Sequence, residues 1–312
     1  MARISVGEAA GAGFKVIGAN PVAAFLVWTL TYLIISAVPF LIIGGMIAGD
    51  VQSFGDADPD QIVAFANKIQ MIQPLMMLAS IVVMAVIYNA IFRAVLKPED
   101  KGFFYMKLGG EEFWQGLVQL CLSILLGLIT FAIILAGAAV GGIVFFIGQA
   151  AGSPSAGWIQ AIGIGLVILA CVVAIVWIAL RLSLAGPATL HKGQFELFES
   201  WTLTKGHTGQ LFLVALVVGL IVTVLYGVLI GISQAVIPAS YMVGFREALA
   251  TPGASGSDVP AWAMWVLNLL PALLVGSIFS VLLVGPIYAI TMAPWASAYR
   301  QITFSTDVAQ EF

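Results

Sequence analysis

Six long apolar runs divide the chain, at about 21–48, 71–96, 116–147, 158–185, 210–237 and 263–297. Each is long enough for a helix to cross a bilayer, which takes ~20 apolar residues. None alternates between apolar and polar positions in the ~10-residue segments that a transmembrane barrel strand requires. The pattern therefore predicts an all-α polytopic membrane bundle of six transmembrane helices, forming a single domain over residues 1–312. The third and sixth runs exceed what an upright helix needs, so tilt or a kink must use the surplus. Pro39, Pro271 and Pro286 are the expected kink points. In the first long loop, Asp58-Pro59 resembles a cap followed by a first-turn proline, and predicts a short separate helix over 62–69.

The polar segments between the runs repeat. Before each odd-numbered run lies an acidic residue followed by aromatic and small residues: GEAAGAGFKVIGANP (7–21), GGEEFWQGLVQL (109–120) and FESWTLTKGHTGQLF (198–212). Trp114 stands two residues after Glu112, and Trp201 two after Glu199. Each even-numbered run ends on an arginine, namely Arg93, Arg181 and Arg300, with 19 residues from Arg93 to Glu112 and 18 from Arg181 to Glu199. The chain reads as three copies of one unit, an interfacial helix followed by a transmembrane hairpin. Aromatic, weakly polar helices of this kind rest at headgroup depth. An arginine at the inner end of a span either reaches lipid phosphate or pairs with a carboxylate at the same level. The expected partners are Glu111 or Glu112 for Arg93, Glu199 for Arg181, and Glu8 as the carboxylate of the first unit. These arginines, glutamates and tryptophans are the candidate interface residues, with a structural role.

Composition reinforces the reading. Charged residues make up 9% of the chain and hydrophobic ones 61%, whereas a soluble domain carries about 25% charged residues. Charge placement adds orientation. One side of the membrane receives Arg3, Lys15, Arg93, Lys97, Lys101, Lys107, Arg181, Lys192, Lys205 and Arg300, and the other only Lys68 and Arg246. This bias places both termini in the cytoplasm of a multi-pass protein of the bacterial inner membrane. The opposite side carries Asp50, Asp56, Asp58, Asp60, Glu247 and Asp258, which suits solvation of external loops. No basic patch points to nucleic acid. No short apolar region with a cleavage site opens the chain, so the first span is expected to act as its own insertion signal.

The segments FRAVLKPEDKGFFYMKLGGEEF (92–113), RLSLAGPATLHKGQFELFESWTLTKGH (181–207) and APWASAYRQI (293–302) resemble a group of functionally uncharacterised six-span bacterial inner-membrane proteins. A looser similarity links that group to the membrane domain preceding some glycerophosphodiester phosphodiesterase domains. The resemblance covers nearly the whole chain and implies fold and location. It is not expected to bring hydrolase activity, because the chain ends at Phe312 with no counterpart of the acidic and histidine metal ligands of the phosphodiesterase.

Candidate chemistry is sparse. His191 and His207 share a loop with Glu196 and Glu199, without the HExxH spacing of a zinc site. Cys121 and Cys171 lie inside apolar runs and read as small hydrophobes. No glycine-rich phosphate cradle occurs; Gly137/Gly141, Gly227/Gly231 and Gly276/Ser280 have the spacing that lets helix backbones approach. Asp, Glu, Lys and Arg are absent from the middle of every run, where an ion-coupled transporter would place them. The expectation is a non-enzymatic integral inner-membrane protein without cofactors. It would serve as a scaffold or lipid-interacting component, with membrane lipids and other membrane proteins as partners. A transporter or permease for an uncharged or lipid-like molecule is the alternative.

Overall fold

The computed structural model describes residues 4–51, 59–107, 109–151, 156–236 and 281–310. Helix α1 (Val6–Ala19) starts at Ser5, whose hydroxyl accepts from the Glu8 amide and caps the helix. A π-helical turn over Ala23–Val27 leads into α2 (Trp28–Val51), and α3 (Pro59–Leu96) returns. The hairpin of α4 (Gly110–Ala151) and α5 (Ala156–Leu182) follows. Short α6 (Ala185–Lys192) and α7 (Glu199–Leu203) precede α8 (Thr208–Val236). Helix α9 (Val284–Gln310) ends the described chain. Among the described residues the only extended pairing is an isolated bridge between Phe103 and Met106.

Four helical stretches are long and apolar enough to cross a membrane: Gln73–Leu96, Gly110–Ala150, Gln160–Lys192 and Thr208–Gly231. A fifth is counted if α1 and the helix after it, bent 93° apart, form one broken span. Most of the expected sixth span, with Pro271, Gly276 and Ser280, lies outside the described residues, as does the loop at 238–262.

Two local expectations change. The short helix at 62–69 does not stand alone; it is continuous with the span in α3, which runs 38 residues. No glycine interrupts Pro59–Leu96, and Pro74 is carried inside the helix. Pro286 sits in the first turn of α9, where a missing amide costs nothing, so it starts this helix rather than kinking it.

Packing is concentrated at one end. One buried cluster joins Ala12, Val16, Trp28, Ile87, Ile91 and Ala293, and a second joins Ala9, Leu184, Leu211, Val214 and Tyr299. They draw α1, α6 and the ends of α3, α5, α8 and α9 into a collar. Helix α1 reaches α9 through small residues: a Cβ at Gly13 would stand 2.5 Å from the Cα of Ile290. Away from the collar the picture reverses. No residue in the most apolar stretch of α4 or of α5 is buried.

Candidate functional site

The polar side chains of the collar group around the three arginines. Arg93 occupies the last turn of α3 and has no exposed side-chain surface. Its guanidinium donates to Glu111 Oε2 at 2.7 Å, to Glu112 Oε1 at 2.7 Å and to the Tyr105 carbonyl at 2.5 Å. Its Nε faces Asp100 at 3.7 Å, outside hydrogen-bond reach, and has no other acceptor. Lys97, one turn on, donates to Glu111 Oε1 at 2.9 Å and to the Leu190 carbonyl at 3.3 Å, tying the knot to α6. The other Glu112 oxygen accepts the Gly109 amide at 3.0 Å, so this carboxylate also caps the start of α4. Two cations and two carboxylates therefore balance in a partly dry site.

The loop between α3 and α4 is shaped to feed this knot. Phe104 and Tyr105 both adopt left-handed backbone, with φ of 54° and 65°. Bulky residues pay for that conformation with about 1–3 kcal/mol each. Both carbonyls are held by buried donors: Trp28 Nε1 donates to Phe104 O at 3.2 Å, and Arg93 donates to Tyr105 O. At the loop surface, Lys107 bonds Asp100 at 2.5 Å and holds its carboxyl below the usual range.

Arg181 is built differently. Its guanidinium lies between the rings of Trp177 and Trp201, 5.3 Å and 5.4 Å from their centroids, and donates to the Trp201 carbonyl at 3.3 Å. The expected pairing with Glu199 does not form: Glu199 meets Lys192 at 2.5 Å instead. The physical reason is that Trp177 precedes Arg181 by one helical turn and presents its ring on the same face. An arginine stacked on tryptophan gains cation–π attraction that a carboxylate would have to displace. Behind it, the Ser200 hydroxyl donates to the Arg181 carbonyl at 2.8 Å and accepts the Leu184 amide at 3.1 Å, satisfying the break between α5 and α6.

Arg300 makes the loosest contacts. It stands 3.7 Å from Glu8, both groups being nearly half exposed, and reaches the Val95 carbonyl at 3.5 Å. With Lys15, Asn20 and Ser297 these residues line a cleft of about 230 Å³ between α1, α3 and α9. Arg93, Glu111 and Glu112 thus come together, Glu8 and Arg300 approach, and Arg181 and Glu199 go to other partners. Trp114 is half-buried beside Phe113, and among the described residues no arginine stacks on its ring. Sequence reasoning missed Lys97, Lys192 and the Tyr105 carbonyl; only the four-residue spacing of Arg93 and Lys97 on one helix face hinted at the first.

The histidines serve locally. His191 Nδ1 shares a hydrogen bond of 3.0 Å with the Tyr299 hydroxyl, and His207 Nδ1 lies 3.3 Å from Gln210 Oε1. Among the described residues no three His, Cys, Asp or Glu side chains gather in a way that could hold a metal ion. Fold and site define an α-helical protein whose long apolar helices fit a multi-pass membrane protein. In the comparisons with family models, curated proteins and solved structures, nothing matches this chain.

Proposed function

We propose that the protein is a non-enzymatic, lipid-interacting scaffold of the bacterial inner membrane, with six spans in three repeated units and its collar on the cytoplasmic side. One observation carries the reading: among the described residues the ion pairs all lie in the collar, while the most apolar stretches of α4 and α5 offer unburied faces to the bilayer. The arrangement suits a platform at headgroup level from which hairpins extend into lipid. In this reading the collar engages anionic lipid through the Lys15 and Arg300 cleft, where one carboxylate opposes two cations. Within Gln73–Leu96, α4, α5 and α8 charged residues stand only near the helix ends, so these helices offer no ionisable relay across the interior.

Native mass spectrometry of the protein from nanodiscs of phosphatidylcholine and phosphatidylglycerol tests this. Phosphatidylglycerol should be retained preferentially, and Lys15→Ala with Arg300→Ala should remove most of the preference. Equal retention of the two lipids, or solute uptake into vesicles driven by a proton gradient, would reject the scaffold. Transport of an uncharged or lipid-like molecule is the second reading, favoured by an uncharged cleft at the membrane edge of the collar.

A further inference from the structure

Between α3, α4, α5, α6 and α9 lies a cleft of about 280 Å³, separate from the ionic knot. We propose that it is a binding site for an uncharged lipid bearing a free hydroxyl, a chemistry that goes beyond the collar's engagement of anionic headgroups.

The case begins with a polar stripe on α4. Glu111, Gln115, Gln119 and Ser123 are spaced by four residues and so share one helix face. Glu111 is consumed by Arg93 and Lys97, and the next three line the cleft. Gln115 is 1% exposed, and its Oε1 has no hydrogen-bond partner. Buried acceptors are almost always satisfied. This oxygen is closed off as the side chain stands, so a rotation of the carboxamide is needed to offer it to a donor in the cleft. Phe92, Trp295 and Met292 supply apolar walls. Among the described residues no charged side chain lines the space, and the nearby cations Arg93 and Lys97 are already neutralised by Glu111 and Glu112. A phosphate or ammonium headgroup would enter without a counter-charge.

Backbone geometry keeps the cleft open. Helix α5 stops at Leu182 and α6 starts at Ala185, which brings Gly186 against α3 and α4. A Cβ there would stand 2.8 Å from Phe92 Cε2 and 2.9 Å from Gln115 Nε2. The glycine therefore lets α6 close the cleft floor while the Gln115 carboxamide stays in place. Depth fits a lipid as well. Gln115 lies about one turn beyond the knot, and the lining continues along α4 to Leu126, ~16 Å further at about 1.5 Å per residue. A lipid hydroxyl donating to Gln115 Oε1 would leave its chain running along Leu122 and Leu126.

Trp295 provides the readout. The protein is placed in phosphatidylcholine nanodiscs containing a few mole per cent of dibrominated diacylglycerol or dibrominated phosphatidylglycerol. The Trp295 signal is taken as the difference between the native chain and Trp295→Phe. Brominated diacylglycerol should quench Trp295 at least threefold more than the same amount of phosphatidylglycerol. Gln115→Leu should abolish that excess, and Ser123→Leu, which fills the apolar end without disturbing a buried group, should reduce it. Equal quenching by both lipids, while Lys15-dependent retention of phosphatidylglycerol persists, overturns the site and leaves the collar reading standing. An excess that survives both substitutions also overturns it.

Discussion

Arg93 and Arg300 carry the same charge near the ends of their apolar runs, yet their surroundings give them different weights. Arg93 is fully buried between two carboxylates and a carbonyl, whereas Arg300 is nearly half exposed and 3.7 Å from Glu8. Removing one partner of a buried pair strands the other, at about 3–5 kcal/mol. An exposed pair contributes ~0–1 kcal/mol. Arg93→Ala should therefore lower the thermal unfolding midpoint in detergent by many degrees, and Arg300→Ala by little. Equal shifts would show that Arg93 is not the keystone of the collar. The recurring distance from arginine to glutamate made the Arg93 pairing legible, because partners 18 or 19 residues apart face each other across a fixed loop. It misled for Arg181, where an aromatic ring one turn away competes for the same guanidinium and no spacing of charges records it. The left-handed backbone at Phe104 and Tyr105 was invisible, since nothing in FFY distinguishes it from an ordinary turn.

At the scale of elements, close approach is decided by position rather than by motif. Gly137 does pack tightly, with its Cβ position 2.6 Å from Cys171 Sγ, but Gly141, Gly227 and Gly231 face open space. Other intimate contacts fall on glycines outside the three pairs picked out by spacing. One is Gly13 of α1, packed against α9, and another is Gly285, where a Cβ would collide with the Ala24 carbonyl. That carbonyl belongs to the π-helical turn, which widens the backbone so that Thr29 Oγ1 donates to Ala24 O at 3.5 Å and accepts the Gly285 amide at 3.3 Å. Helix crossing angles depend on distant parts of the chain, so sequence spacing could not select these positions. Gly13→Ala and Gly285→Ala should each destabilise the protein by ~1–3 kcal/mol, the range for overpacking. Gly227→Ala should be neutral or slightly stabilising in the same thermal assay. A neutral Gly285→Ala would mean that α9 can shift away from the π-helical turn.

For the whole molecule, the division into a packed collar and the unburied apolar stretches of α4 and α5 gives the charge bias a physical counterpart. Helical class and membrane length were legible because apolar runs of this size have few other uses. The collar's interlocking was not, since it joins α1 to α9 across most of the chain. With the collar proposed to face the cytoplasm, a reporter fused after Gln310 should read inside, and one inserted near Ala57 should read outside. The reverse result at both places would invert the orientation of the collar. Such an inversion would leave the helix packing untouched and move only the assignment of sides.

The knot around Arg93 also has a place in time. Its anionic partners stand 18 and 19 residues further along the chain. A ribosome adding about 5–20 residues per second delivers them ~1–4 s after the arginine. During that interval Arg93 can meet Asp100, 3.7 Å from its Nε in the finished fold, but lacks the two carboxylates that hydrogen-bond its guanidinium. Once Glu111 and Glu112 emerge, one short loop both neutralises the first hairpin and fixes the start of the second. The ionic centre of the collar can therefore close only when about a third of the chain has been made.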